Sequence, residues 1–109
     1  YSNEAKQSLL GVGAVTLEQH GAVSEATVGE MVAGVFAHTD ADLAVSISGI
    51  AGPGGGSQDK PVGLVWFGFG RRNQPVVTES HIFPGDREAV RMRSVERVLR
   101  RLLEIVTDH

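Results

Sequence analysis

A glycine-rich run in the middle of the chain most constrains its fold. Residues 49–57 include five glycines, and they directly follow the short, apolar, β-branched segment 43–48. Glycine loses more conformational freedom on ordering than any other residue, so such a run is unfavourable inside a helix or a strand. The pattern predicts a buried strand that ends at Ser48, followed by a loop at its carboxyl end.

Apolar spacing on either side of this loop predicts an α/β domain. The predicted helices are a short one ending at Leu10, one turn after Thr16, and longer ones over about 25–38 and 86–107. The predicted strands cover residues 43–48, 62–69 and 76–83. A short polar link joins the last two strands and favours their antiparallel pairing. Of the last helix, the residues expected to face the sheet are Val95, Val98, Leu99, Leu102, Leu103 and Val106, with the arginines mostly outward.

Size and composition exclude several classes of protein. The 109 residues (11.6 kDa) form one small domain, and 10 Lys+Arg against 13 Asp+Glu give a net charge of −3. This charge gives no bulk attraction for nucleic acid or anionic lipid. The absence of cysteine excludes thiolate catalysis and cysteine-held zinc within these residues, and the four histidines lack the spacing of a metal site. We therefore expect no metal, no cofactor and a soluble, cytoplasmic protein that binds neither nucleic acid nor membrane.

The start of the chain bears on its organisation. It opens at Tyr1 without an initiator methionine or a polar lead-in. A sheet of three strands leaves an edge bare, and bare edges favour pairing with further chain. We expect a strand that ends near Tyr1, with more chain before it, and self-association as a dimer.

Backbone chemistry makes the glycine-rich run a candidate binding loop. Successive N–H groups without Cβ atoms can converge on phosphate or carboxylate oxygens. The run has no Gly-x-x-x-x-Gly-Lys-Ser/Thr motif, and it leads into a strand rather than a helix, which excludes a P-loop and a dinucleotide fingerprint. A mobile connector is the alternative. The candidate substrate-binding residues of this segment are Gly49, Ala51, Gly52, Gly55, Gly56 and Ser57.

Two serines lie beside or within this run. Ser48 closes the strand where open α/β sheets place ligand-binding groups, although a small residue packed against Gly49 explains it equally well. Ser57 and Lys60 have the Ser-x-x-Lys spacing of a serine–lysine acylase. That arrangement needs a helical turn, which Pro61 disfavours at the preceding residue. We therefore assign chemistry to Ser48 and treat the second motif as coincidence.

Two cationic side chains are further candidates. Lys6 follows Tyr1 on the first helix, and both are expected near the carboxyl end of the preceding strand. Lysine acts as a general base only when its neutral form is favoured, and a solvated surface lysine is the alternative. Arg87 begins the last helix, where a cation opposes the helix dipole unless an anion is bound there. Its alternative is a surface salt bridge with Asp86 or Glu88.

Together these segments resemble a known family: the carboxy-terminal domain of CinA and its stand-alone relatives, the nicotinamide-nucleotide amidohydrolases called PncC. The matching residues are 1–6 (Tyr-Ser-Asn-Glu-Ala-Lys), 21–25, 48–53, 55–57, 60–63 and 85–87 (Gly-Asp-Arg). They run in order over nearly the whole chain. The resemblance implies a three-layer α/β/α domain over 1–109 with a mixed five-stranded sheet, in which the strand at 62–69 is antiparallel to the others and the N-terminal strand and nucleophile segment are lacking.

The resemblance also implies an activity and roles for individual residues. The family hydrolyses nicotinamide mononucleotide to nicotinate mononucleotide and ammonia, in pyridine-nucleotide recycling. Lys6 matches the lysine that deprotonates the attacking serine, Tyr1 the tyrosine beside it, Ser48 a member of the catalytic network, and Arg87 an arginine that binds substrate. The serine itself belongs to a Glu-Ser-Cys-Thr-Gly-Gly type segment that these 109 residues lack.

Because that serine is missing, we expect the 109 residues alone to be inactive. Two alternatives to an enzyme remain. One is a non-catalytic, nucleotide-binding or regulatory domain of a CinA protein. The other is a purely structural dimerisation domain. Adding nucleotide would not change the melting temperature of such a domain.

Overall fold

The computed structural model describes residues 13–50 and 60–107. The elements in chain order are α1 (Ala14–His20), α2 (Glu25–His38), β1 (Leu43–Gly49), β2 (Leu64–Arg71), β3 (Val77–Ile82) and α3 (Arg87–Thr107). Their order and type confirm the sequence prediction for these ranges, but α1 begins at Ala14 and so contains Thr16, which was predicted to precede it. The helix predicted to end at Leu10 lies outside the described residues.

The three strands form an antiparallel sheet with β2 in the centre. Ile47 of β1 pairs with Phe67, which pairs on its other side with Glu79 of β3. The strand predicted at 62–69 is thus antiparallel to both of its neighbours, as expected. Among the described residues, no strand pairs with the outer edge of β1.

Helix α2 packs closely on one face of the sheet because β2 carries glycine there. A Cβ atom at Gly68 would lie 2.7 Å from the Ser46 hydroxyl oxygen and 2.9 Å from the Val28 carbonyl oxygen. At Gly70, a Cβ atom would lie 2.6 Å from the Val32 side chain. The Ser46 hydroxyl donates to the Val28 carbonyl oxygen at 2.7 Å, which joins strand and helix directly. Side chains at these two positions would push the helix away.

Helix α3 covers the opposite face, so the described residues form three layers. The core between α3 and the sheet consists of Val65, Phe67, Phe69, Val90 and Val98. The helix approaches through positions four residues apart, with Ser94 between its two buried valines. The Ser94 hydroxyl donates to the Val90 carbonyl oxygen at 2.8 Å, so this small polar residue is buried without an unpaired donor.

This packing corrects the inward face predicted for α3. Val98 is buried as expected, and Leu102 is partly buried. The prediction was wrong for four residues that are 49–67% exposed: Val95, Leu99, Leu103 and Val106. The helix carries two apolar stripes. The sequence prediction selected the stripe with the larger side chains, but the stripe that packs on the sheet is the one that contains the smaller Ser94.

A cluster of charged residues fixes α3 against β3. The Glu79 carboxylate accepts a hydrogen bond from Arg97 at 2.7 Å, lies 2.5 Å from His81 Nε2, and forms an ion pair with Arg101 at 3.1 Å. Burial opposes ionisation of Glu79, but the hydrogen bonds from Arg97 and His81 outweigh it and lower the pKa of the carboxyl group. Arg97 is therefore an exception to the outward orientation expected for most arginines of α3.

We predict that Gly68→Ala lowers the free energy of unfolding by about 1–3 kcal/mol, because the added methyl collides with a backbone oxygen that α2 holds in place. Gly29→Ala, inside α2, is the matched control: no atom lies within 4 Å of its Cβ position, and alanine favours a helix by up to about 1 kcal/mol. Urea unfolding measures both. Equal effects of the two substitutions would contradict the close packing of α2.

We predict that Glu79→Gln lowers the free energy of unfolding by about 1–2 kcal/mol at neutral pH, since two arginines lose their carboxylate partner. The pKa of Glu79 is lower in the folded state, so its contribution is present above the ordinary value of 4.5 and is lost as the pH falls through the folded value. The difference between wild type and variant should shrink in urea titrations below pH 4.5. Glu104→Gln, which removes an exposed ion pair to Arg101, should have little effect at any pH.

Candidate functional site

The structure describes three of the predicted site residues: Ser48, Gly49 and Arg87. The others lie outside the described residues: Tyr1, Lys6, Ala51, Gly52, Gly55, Gly56 and Ser57. The candidate site is therefore built from the ends of β1 and α3 and from the residues that flank the glycine-rich run.

The glycine-rich run belongs to a loop between β1 and β2, and the two sides of this loop are joined by hydrogen bonds at the sheet. The Ile50 N–H donates to the Leu64 carbonyl oxygen at 2.9 Å, and the Gly63 N–H donates to the Ile50 carbonyl oxygen at 2.5 Å. Gly63 has a φ of +94°, and a Cβ atom there would overlap the Phe83 carbonyl oxygen. The run thus leaves the sheet at the carboxyl end of β1, as predicted, and returns beside its own starting point.

Ser48 has a defined partner across this end of the sheet. Its side chain is buried, and its hydroxyl donates to the Ala22 carbonyl oxygen at 2.7 Å. Ala22 belongs to the turn between α1 and α2, which is 26 residues away in sequence. The hydroxyl is therefore engaged in a specific contact, which size alone does not explain.

The turn that Ser48 contacts is itself highly ordered by hydrogen bonds. The hydroxyls of Ser24 and Thr27 both donate to the Gly21 carbonyl oxygen, at 3.0 and 2.7 Å. Ser24 also caps α2 by accepting from the Thr27 N–H at 3.2 Å. Ser48 is thus joined to a rigid turn.

Lys60 makes a second contact with the same turn. Its ammonium group donates to the His20 carbonyl oxygen across 40 residues of sequence. Gly21, next along the chain, has a φ of +77°, and a Cβ atom there would lie 2.8 Å from Lys60 Nζ. Sequence analysis assigned no role to Lys60. Its position shortly after the glycine-rich run and its place in the family-matching segment 60–63 were signals for one.

Arg87 and Gly49 line the same cleft, of about 350 Å³. The walls are largely apolar and are formed by Ile47, Val65, Val90 and Val95. The cleft joins the carboxyl end of β1 to the first turn of α3. An aromatic ring or a sugar fits such walls, while a cation at the rim can bind an anionic substituent.

The salt bridge considered for Arg87 is absent from the described part of the chain. No described carboxylate pairs with its guanidinium group. Asp86 is occupied as the cap of α3, because its Oδ1 accepts from the Ala89 N–H at 2.9 Å. Arg87 therefore remains available to a ligand at the cleft.

Residues 13–50 and 60–107 contain neither a metal-ligand cluster nor a membrane-spanning helix. No three His, Asp or Glu side chains in these ranges come together as metal ligands. No helix there combines the length and the apolar character needed to cross a bilayer.

Comparison with known proteins identifies the family. The CinA C-terminal domain model matches residues 1–106. The nicotinamide-nucleotide amidohydrolase PncC of Enterobacter agglomerans is 60% identical over 94 residues, which are 86% of this chain and 57% of that protein. The PncC of Escherichia coli K12 is 53% identical over 102 residues, which are 94% of this chain and 62% of that protein.

A solved structure has the same fold. The competence damage-inducible protein A from Klebsiella pneumoniae superposes with a TM-score of 0.91 at 44% identity, over 98% of this chain and 66% of that one. The chain thus belongs to the CinA C-terminal domain family, with an α/β fold shared by these relatives. It spans about 60% of the length of the two PncC proteins.

We predict that Ser48→Ala lowers the free energy of unfolding by about 1–2 kcal/mol, because the Ala22 carbonyl loses its buried donor. Ser46→Ala is the matched control, since Ser46 lies on the same face of β1 and donates to the Val28 carbonyl at the same distance of 2.7 Å. Thermal and urea unfolding should give similar losses for both. A Ser48→Ala variant as stable as wild type would contradict the contact with the turn.

Proposed function

We propose that the protein containing this chain hydrolyses the carboxamide of nicotinamide mononucleotide, giving nicotinate mononucleotide and ammonia. The cleft shared by Gly49 and Arg87, an arginine to which the described residues supply no ion-pair partner, is the observation that carries this proposal. The 60% identity to a nicotinamide-nucleotide amidohydrolase supports the choice of substrate. The apolar walls suit the pyridine ring or ribose, and the arginine suits the phosphate.

The reaction needs a nucleophile, a base and a donor for the leaving group. A serine outside these 109 residues attacks the carboxamide carbon, and Lys6 takes the serine proton. The C–N bond then breaks, and the lysine returns the proton to the departing ammonia. Water hydrolyses the acyl-enzyme in a second cycle. The pyridinium charge of the substrate favours the neutral lysine that this mechanism requires.

The remaining site residues bind and position the substrate. Tyr1 lies beside the base, and backbone N–H groups of the glycine-rich run hold anionic oxygens of the substrate or of the tetrahedral intermediate. The residues of that run in this role are Gly49, Ala51, Gly52, Gly55, Gly56 and Ser57. Ser48 joins the catalytic network and holds the turn at Ala22 in place.

The complete enzyme has a five-stranded sheet, assembles as a homo-oligomer and works in the cytoplasm. The outer edge of β1, to which the described residues supply no partner, accepts a further strand. Ile47 on β1 and the outer stripe of α3 are exposed and apolar, so additional chain or a second subunit covers them. The greater length of the PncC relatives supports the first of these.

A regulatory domain that binds the nucleotide without turnover is the second candidate. The similarity to a competence damage-inducible protein favours it. The two functions differ in one measurement: both give saturable binding of nicotinamide mononucleotide, but only the enzyme releases ammonia.

We predict that the complete gene product releases ammonia from nicotinamide mononucleotide, and that Lys6→Ala and Lys6→Arg both lower kcat by at least about 100-fold. Arginine retains the charge of lysine but stays protonated, so it should not rescue the base. Coupled ammonia detection measures turnover, and melting temperatures check that the variants fold. Wild-type-like turnover in Lys6→Ala would eliminate Lys6 as the base.

The two serine variants separate positioning from stability within the same assay. Ser48→Ala and Ser46→Ala should lose similar stability, but only Ser48→Ala should lower turnover. Equal turnover by both would remove Ser48 from the catalytic network.

A further inference from the structure

The cleft at the end of β1 has a second arginine that sequence analysis assigned to solvent. Arg91 lines it together with Arg87, one helical turn further along α3. No described residue forms an ion pair or hydrogen bond with either guanidinium group. Glu88 and Asp86, the nearest carboxylates in sequence, thus leave both cations unpaired.

The charge of the cleft is unlike that of the whole chain. The chain has a net charge of −3, yet among the described residues that line the cleft only Arg87 and Arg91 are charged. Ser94, the one polar uncharged side chain there, already donates to the Val90 carbonyl oxygen. The described lining therefore offers a ligand two cations above an apolar wall.

Two guanidinium groups in this arrangement suit one doubly charged anion. Residues four apart on a helix lie on the same face, with Cβ atoms about 5–6 Å from each other. Guanidinium groups at that spacing repel each other. A phosphate monoester bound between them offsets this repulsion, because it accepts charge-assisted hydrogen bonds from both groups. A neutral nucleoside offers nothing to either arginine.

We propose that Arg91 is a second phosphate-binding residue that, together with Arg87, gives the site its preference for a nucleotide over a nucleoside. The phosphate lies between the two arginines, and the ribose or ring lies against Val65 and Val90. The identity of the ligand rests on the proposed function, whereas the pairing of the two arginines rests on the cleft itself.

The test compares Arg91→Met with Arg93→Met in the complete gene product. Arg93 is a matched control because it lies on the same helix and is likewise without a described partner, but it lines a different surface, near Phe83. Calorimetry gives Kd for nicotinamide mononucleotide and for nicotinamide riboside, which lacks the phosphate. Ammonia release gives kcat and KM in parallel.

Arg91→Met should raise Kd and KM for the nucleotide by about 10- to 100-fold, the range for loss of one hydrogen-bonded charge contact. Its kcat and its Kd for the riboside should stay within about twofold of wild type. Arg93→Met should change none of these values. Arg91→Lys should restore part of the affinity, since it keeps the charge but loses the planar, two-pronged donor.

The outcomes separate this inference from the proposed function. If nucleotide binding depends on Arg91 but no ammonia is released, the phosphate-binding role of Arg91 is supported and the amidohydrolase activity is rejected. Ammonia release with equal nucleotide affinity in Arg91→Met and Arg93→Met would support the enzyme and overturn the role of Arg91. Failure of the wild type to bind the nucleotide would overturn both.

Discussion

The alternation of large and absent side chains along β2 is the constraint on which the rest of the structure depends. Phe67 and Phe69 point to one face and build the core with α3, while Gly68 and Gly70 leave room for α2 on the other. Because successive residues of a strand face opposite sides, each helix has its own distance from the sheet. The three-layer arrangement follows from this one strand.

The same alternation positions the candidate site. Close contact with α2 brings the turn at Ala22 within reach of Ser48, and the core under α3 places Arg87 beside Gly49 in one cleft. The Glu79 cluster then prevents α3 from sliding along β3. Residues far apart in sequence thus lie around the carboxyl end of β1, with Ser48 on the face of the sheet that α2 covers and Arg87 on the face that α3 covers.

Sequence patterns predicted the elements well because local periodicity and caps decide them, as at Ser24 for α2. The inward face of α3 was mispredicted because Leu99 is more hydrophobic than Ser94 and was therefore expected to be the buried residue. Close packing on β2 instead favours the small Ser94, whose hydroxyl is hydrogen-bonded within the helix. Arg91 and Lys60 were missed for a related reason. The contact of Lys60 is with a carbonyl 40 residues away, and the cleft beside Arg91 is completed by Ile47 and Gly49 of β1, so no local pattern contains either piece of information.

The paired stem formed by Ile50 and Gly63, with Lys60 beside it, has an evolutionary consequence. Since Ile50 and Gly63 are hydrogen-bonded to each other at the sheet, the chain between them is a closed loop, whose length affects stability through the entropy of loop closure. Doubling the length of a closed loop costs only about 0.6 kcal/mol. Insertions or deletions between Ile50 and Gly63 therefore carry only a small entropic cost for the sheet that anchors them.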